Sequence, residues 1–231
     1  MNKPAKTVLI TGASRGLGRS LALAFASKGN NVVLHGRDEN RLDAVREEVL
    51  RHDVSCEVII GDISQAQTIA DLIAGAAKVD VDILINNAGI YVRKAINEIS
   101  SEDLRRVVEV NLIAPVLLTK GILELFEIRG SGLVVNINSL AGKNPSLHES
   151  VYCASKHGLR GFMGALQFET LKYNVPIIQI YLGAMNTDMT AARENTEKFM
   201  RTEEVAEFIC EISQDHSSMR ISEIDILRRI Y

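Results

Sequence analysis

Thr11-Gly12-Ala13-Ser14-Arg15-Gly16-Leu17-Gly18 joins an apolar run over residues 7–11 to a helical pattern over residues 17–27. Glycine lets the backbone turn sharply and approach a ligand closely. The N–H groups at a helix start add donors and the positive end of a dipole. A diphosphate fits that description. Three glycines in a turn are also common in purely structural turns. What gives these weight is their place between the first strand and the first helix, the context a dinucleotide-binding turn requires. Their spacing is Gly-x-x-x-Gly-x-Gly rather than Gly-x-Gly-x-x-Gly.

Outward from this turn, β-branched and aliphatic runs alternate with helical periodicity. The spacing predicts strands over 7–11, 31–35, 55–61, 82–86, 132–138, 176–182 and 221–227. Most are almost continuously apolar, as expected of parallel strands covered on both faces. Between them, a period of 3.6 predicts helices over 17–27, 39–51, 65–77, 101–126, 151–173 and 202–214. Asp38 and Ser100 stand at N-cap positions, and Gly29 and Gly130 where C-caps fall. Strand–helix alternation along 1–231, with no Pro/Ser/Gly-rich linker and no repeat, argues for a single α/β domain with a doubly wound parallel sheet. The longest irregular segment, about 183–201, is where a substrate loop would sit.

Composition narrows the function classes. The 231 residues are 46% hydrophobic and 24% charged, too apolar for a disordered chain. Lys+Arg number 26 against 29 Asp+Glu, a net charge of −3 with no basic block, so no nucleic-acid partner is expected. No apolar stretch reaches the length of a membrane span. Cys56, Cys153 and Cys210 are odd in number and far apart, which argues against a disulfide framework or a metal site and for a reducing, cytoplasmic setting.

The second strand bears on the choice of cofactor. An NAD site places an acid at its end to bind the ribose 2′-hydroxyl. Here the strand ends Leu34-His35-Gly36-Arg37. An arginine can hold a 2′-phosphate with two hydrogen bonds and stack on adenine, and Arg15 in the glycine turn offers a second positive charge. Asp38 follows too late and reads as the cap of the next helix. NADP(H) is therefore expected over NAD(H), the alternative being two solvated arginines.

Tyr152 and Lys156, in Tyr-Cys-Ala-Ser-Lys, are spaced i, i+4 and share a helix face. A free tyrosine has a pKa of about 10, and a nearby ammonium favours phenolate. Alone, such a pair is often a solvated helix face. Ser139, thirteen residues earlier at the end of a buried strand, supplies a hydroxyl that can donate beside the tyrosine. Asn86-Asn87-Ala88-Gly89 closes the fourth strand, where ligands gather in open α/β sheets. Asn111 interrupts an apolar helix, and Pro115, four residues on, has no N–H for the Asn111 carbonyl. Either a kink or a water site results there.

Together these motifs resemble, in order and spacing and over nearly the whole chain, those of the short-chain dehydrogenase/reductase family. The resemblance implies a Rossmann-type fold with about seven parallel strands. It implies a catalytic tetrad: Asn111, Ser139 holding the substrate oxygen, Tyr152 as general acid/base, and Lys156 on the nicotinamide ribose. The implied cofactor residues are Gly12, Ser14, Arg15, Gly16, Leu17 and Gly18 in the turn, then Arg37, Asp62 and Ile63 around adenine and its ribose. Asn87, Ala88, Gly89, Tyr152 and Lys156 follow, with Gly183 and Thr187 over the nicotinamide. Leu182 stands where that family has proline. The implied activity interconverts a carbonyl and a secondary alcohol; a non-catalytic NADP(H) sensor on the same fold is the alternative. The expected substrate wall is Tyr91, Arg93, Leu140, Ala141, Lys143, Asn144, Pro145, His148 and Met185. Arg93, Lys94 and Lys143 would favour an anionic substrate unless they are merely solvated. Apolar positions such as Leu117, Leu118, Phe162 and Leu166 on the two long helices point to a homodimer or homotetramer.

Overall fold

Residues Thr7–Ile10 form β1, and alternate side chains leave this strand toward opposite faces. Val8 and Ile10 enter one apolar cluster and Leu9 the other, all fully buried. A strand covered on both sides needs no polar alternation. The computed structural model describes residues 5–187, 198–214 and 219–229. Its further strands are β2 (Asn31–Gly36), β3 (Cys56–Ile60), β4 (Ile83–Asn86), β5 (Leu133–Ser139), β6 (Ile177–Leu182) and β7 (Glu223–Ile226). They form one parallel sheet in the order β3-β2-β1-β4-β5-β6-β7. The seven-stranded Rossmann-like architecture expected from the sequence is the one found.

The helices are α1 (Gly16–Ser27), α2 (Glu39–Leu50), α3 (Ala66–Lys78), α4 (Ser101–Val108), α5 (Ala114–Arg129), α6 (Ser150–Glu169) and α7 (Thr202–Ile212). Leu21 and Phe25 of α1, Leu42 of α2 and Ile209 of α7 pack on one face of the sheet. Leu72 of α3, Leu118 and Ile122 of α5 and Leu159 of α6 cover the other. Caps fall where the side chains dictate. Asp38 accepts from the Arg41 N–H at 3.1 Å, and Ser100 forms a reciprocal capping box with Asp103. Gly130 ends α5 at φ +70°, a conformation that suits glycine.

Two long helices differ from expectation. The single helix anticipated over 101–126 is α4 and α5 joined by a π-turn over Glu109–Ile113. The Ala114 N–H returns to the Glu109 carbonyl, five residues back. Pro115, which cannot donate, is thus accommodated near the start of α5 instead of kinking a continuous helix. The helix over 151–173 ends at Glu169, and a 3₁₀ turn over Leu171–Tyr173 follows. Of the expected 183–201 loop, residues 188–197 lie outside the described residues. Among the described residues no helix is long and apolar enough to cross a membrane, and no cluster of metal-ligating side chains occurs.

Candidate active site

β1 hands its chain to β2 on one side and pairs with β4 on the other. The crossovers therefore leave in opposite directions and open a crevice beyond the C-terminal strand ends. It forms a cavity of about 570 Å³. Gly12, Ser14, Arg15, Gly16, Leu17, Gly18, Arg37, Asp62, Ile63, Asn87, Ala88 and Gly89 line one part of it. Ser139, Tyr152, Lys156, Gly183 and Thr187 line the rest. Asn111 is buried beside the cavity wall, 1% exposed.

The glycine turn has the shape a diphosphate needs. Gly12 and Gly16 have φ of +68° and +53°. A Cβ on Gly18 would lie 2.1 Å from the Gly12 carbonyl oxygen, so helix and turn touch backbone to backbone. No side chain caps the start of α1, which leaves its first N–H groups to the crevice. The turn is locked to β4: Asn87 donates to the Thr11 and Gly12 carbonyls at 2.8 and 3.1 Å. The Asn87 and Ala88 N–H groups both donate to the Thr11 hydroxyl at 3.0 Å. These features fit a dinucleotide.

At the end of the cavity beyond β2 and β3, Arg37 Nη1 lies 3.9 Å from the Asp62 carboxylate. Arg106, from α4, donates to Asp62 and, at 2.7 Å, to the Ser64 hydroxyl. Burial alone pushes the Asp62 carboxyl up, but hydrogen bonds from Arg106 and Ser64 outweigh it and hold the group at about 2. Burial pushes the His35 imidazole down to about 4, against the opposing pull of its Gly61 carbonyl contact. His35 therefore adds no positive charge for a phosphate at neutral pH. The side chain of Arg37 is 61% exposed at the rim.

At the other end, Lys156 is 6% exposed and its Nζ donates to the Ile137 carbonyl at 3.2 Å. Burial pulls its ammonium down to about 8. The Nζ stands 5.9 Å from the Tyr152 ring centre. Asn111, on the π-turn, grips the chain after Gly89 with both ends of its amide: Oδ1 accepts from the Ile90 N–H at 2.8 Å, and Nδ2 donates to the Ile90 carbonyl at 2.9 Å. The Ser139 N–H donates to Asn138 Oδ1, and Asn138 Nδ2 donates to the Lys156 carbonyl, which fixes the end of β5 against α6. Leu182 is paired on both sides, with Ser139 of β5 and Ile226 of β7. The sheet thus runs unbroken to the point where a proline was expected. Thr187 comes back over the glycine turn, where a Cβ on Gly16 would meet its Cγ2 at 3.4 Å.

Of the expected substrate wall, Tyr91, Leu140, Ala141, Asn144, Pro145 and Met185 line the cavity, while Arg93, Lys143 and His148 do not. Lys143 turns to Glu223 and Asp225 of β7 and sits 4.0 Å above the Tyr181 ring. Lys94 pairs with Asp103 at 2.7 Å. Those two cations are taken up by neighbouring carboxylates, which removes the argument for an anionic substrate. Among the cavity residues that the sequence reading missed are two charged ones, Arg106 and Glu149. Arg106 is one of two adjacent arginines on the polar helix α4, and Glu149 precedes a helix, where an acid reads as a partner of the helix dipole.

The sequence matches the short chain dehydrogenase family over residues 6–198, and the chain belongs to that family. It is 35% identical over 193 residues to a Dehydrogenase/reductase SDR family protein 7-like of Anopheles gambiae, covering 80% of this chain and 61% of that protein. It is 29% identical over 198 residues to an NADP-dependent 3-hydroxy acid dehydrogenase of Schizosaccharomyces pombe, covering 84% and 76%. The chain thus spans about six-tenths of the length of the first of these relatives. A metagenomic short-chain oxidoreductase in complex with NADP superposes with a TM-score of 0.87 at 27% identity, all of both chains being covered. A variant of actinorhodin polyketide ketoreductase with NADPH gives 0.88 at 27% identity, over 97% of this chain and 96% of the other.

Proposed function

We propose that this chain is an NADP(H)-preferring oxidoreductase that interconverts a carbonyl and a secondary alcohol. The observation that carries the reading is the meeting of Ser139, Tyr152 and Lys156 on one cavity whose other end is the glycine turn. The turn residues Gly12–Gly18 would hold the diphosphate, Asp62 and Ile63 the adenine, and Arg15 and Arg37 the 2′-phosphate. Asn87, Ala88 and Gly89, with Gly183 and Thr187, would hold the nicotinamide end. When bound, the nicotinamide supplies or accepts the hydride. The protein's own work is to orient and to move a proton. Ser139 donates to the substrate oxygen, and Tyr152 delivers a proton to that oxygen as negative charge develops on it. Lys156, held against the Ile137 carbonyl, keeps a positive charge near the phenol oxygen and would bind the nicotinamide ribose. Asn111 holds the Ile90 backbone, and with it the wall facing Lys156, in place.

The NADP preference is supported by the glycine and arginine that end β2, and by the two solved relatives that bind NADP or NADPH. Of the four positions named from the sequence, Leu118 is fully buried in the core and Leu166 packs against it, because both face the sheet, while Leu117 and Phe162 are exposed. With exposed Leu104 and Ile113 on α4 and the π-turn, they support a homodimer or homotetramer. Three free, buried cysteines suit a reducing compartment such as the cytoplasm. The chain acts as one domain, with 183–201 as the substrate loop.

NADPH oxidation should be followed with a panel of ketones and diketones, for the wild type and Tyr152→Phe. The variant should bind NADPH as the wild type does, because its ring remains. It should turn over at least about 100-fold more slowly, the scale for losing a positioned general acid. A Tyr152→Phe protein of undiminished rate would refute the assignment.

A further inference from the structure

Glu149, Tyr152 and Lys156 are spaced i, i+3, i+7 and so share one face of α6. Lys156 stands at the end proposed to hold the nicotinamide, Tyr152 follows it, and Glu149 comes next along the same wall, where the rest of a substrate would extend. It lines the same cavity as Ser139 and Tyr152 and is 6% exposed.

A glutamate at that position has a default use, complementing the positive end of the α6 dipole. Here it occupies the N-cap but makes no side-chain cap hydrogen bond. Its carboxylate instead accepts from the Tyr91 hydroxyl. The Tyr91 ring stands edge-on to Tyr152, 5.1 Å between centres and 85° between planes. Ala141 and Cys153 complete an apolar surround for the pair. The backbone is shaped to hold this arrangement. His148 has φ +63°, unusual for a non-glycine residue, and its carbonyl accepts from the Lys94 N–H at 2.9 Å, tying the 91–94 segment to the start of α6. A glutamate on the wall of a cavity disfavours anions there and offers acceptor oxygens to donors.

We infer that Glu149, positioned by Tyr91, selects the substrate: the site takes carbonyl compounds that carry an ammonium or a hydroxyl a few bonds from the reacting carbon, and discriminates against keto acids. The inference rests on the carbonyl-reducing reading above. Three residues of helix advance about 4.5 Å, which places the selected group roughly two or three bonds beyond the carbonyl.

The test uses the NADPH-loaded protein and four matched ketones: 2-pentanone, 4-hydroxy-2-butanone, 4-amino-2-butanone and acetoacetate. The wild type should favour the amine and the alcohol over acetoacetate by about 10- to 100-fold in kcat/KM, the scale of one charged hydrogen bond or like-charge contact. Glu149→Gln should shrink the handicap of acetoacetate by at least about tenfold and abolish the advantage of the amine. It should spare much of the advantage of the alcohol, because an amide oxygen still accepts. Tyr91→Phe keeps the charge but releases the carboxylate, so it should keep the discrimination against acetoacetate and lose part of the preference for the amine and the alcohol; thermal melts of both variants separate these effects from a loss of folding. An unchanged substrate order in Glu149→Gln, or a wild type that prefers acetoacetate, would overturn the inference while leaving carbonyl reduction standing. A wild type that reduces none of the four, 2-pentanone included, would overturn the underlying reading and the inference with it.

Discussion

Alanine placed at Gly18 should be costly and at Gly36 nearly neutral, although the chemical change is the same and both sites line the same cavity. At Gly18 the new methyl would lie 2.1 Å from the Gly12 carbonyl oxygen, 2.8 Å from its carbonyl carbon and 2.7 Å from Asn87 Nδ2. Non-bonded carbon contacts settle near 3.5–4.0 Å, so α1 and the turn must separate by about an ångström. Two of the three obstacles are backbone, and the third is the amide that ties the turn to Thr11. Overpacking of this kind costs about 1–3 kcal/mol, and a backbone obstacle belongs at the upper end. For a chain of this size each kcal/mol is about 2–4 °C in Tm, so Gly18→Ala should melt roughly 5–10 °C lower. It should also bind NADPH at least about tenfold more weakly, because the diphosphate cradle is what moves. At Gly36 the nearest atoms are the two Leu42 methyls at 3.4 and 3.5 Å and Ser14 Cβ at 3.5 Å, ordinary contacts. Gly36→Ala should melt within about 2 °C of the wild type. Thermal melts and NADPH fluorescence titrations on the three proteins decide the matter. A Gly18→Ala protein with wild-type Tm and affinity would refute the claim that turn and helix are in backbone contact there.

Three further outcomes are expected. Gly36→Asp combined with Arg37→Ala should reverse the ratio of kcat/KM for NADPH and NADH, since the new carboxylate repels a 2′-phosphate and accepts from a ribose hydroxyl; an unchanged ratio would place selectivity elsewhere. Lys156→Met should abolish turnover yet raise the Tm of the cofactor-free protein near neutral pH. Burial lowers the folded-state pKa of Lys156 from 10.5 to about 8, so the unfolded chain binds the extra proton between those values and the advantage of the variant should fade as pH rises through that window. Arg106→Ala should destabilise the protein above about pH 4, and the difference should shrink as pH falls toward 2, because Asp62 is lowered from 3.8 to about 2 largely through Arg106 and Ser64; urea melts at several pH values measure both effects.

The strands β1, β4 and β6 were the most legible part of the fold, because burial on both faces writes them as largely aliphatic runs. β6, expected over 176–182, is found as Ile177–Leu182. The π-turn over Glu109–Ile113 was not legible. It adds a single residue to one turn, and apolar periodicity over 101–126 absorbs that without a visible slip. Pro115 signalled a disturbance there, but a missing N–H does not say whether the helix kinks or widens. Candidate site residues at strand ends were readable because the topology sends every such end to one crevice. Lys143 was misplaced for the converse reason: its partners, Glu223 and Asp225, lie some eighty residues along the chain and meet it only through β7. Glu149 was invisible because local rules give an acid before a helix a sufficient job, and only the tertiary position of Tyr91 shows that it is doing another.

The strand order also constrains how the chain can be made. β1 occupies the centre of the sheet, yet its β4 neighbour, Ile83–Asn86, is translated more than seventy residues later. At roughly 5–20 residues per second, one hydrogen-bonding edge of β1 stays open for about 4–15 s after Ile10 is polymerised. β2 arrives within a second or so per handful of residues and closes the other edge early, so the nascent species to expect is a β3-β2-β1 unit with a bare apolar flank at β1. A nascent chain that has emerged from the ribosome through β3 but not yet through β4 should display that flank, and it is there that a nascent-chain chaperone would be recruited and that slow synthesis would be punished by aggregation.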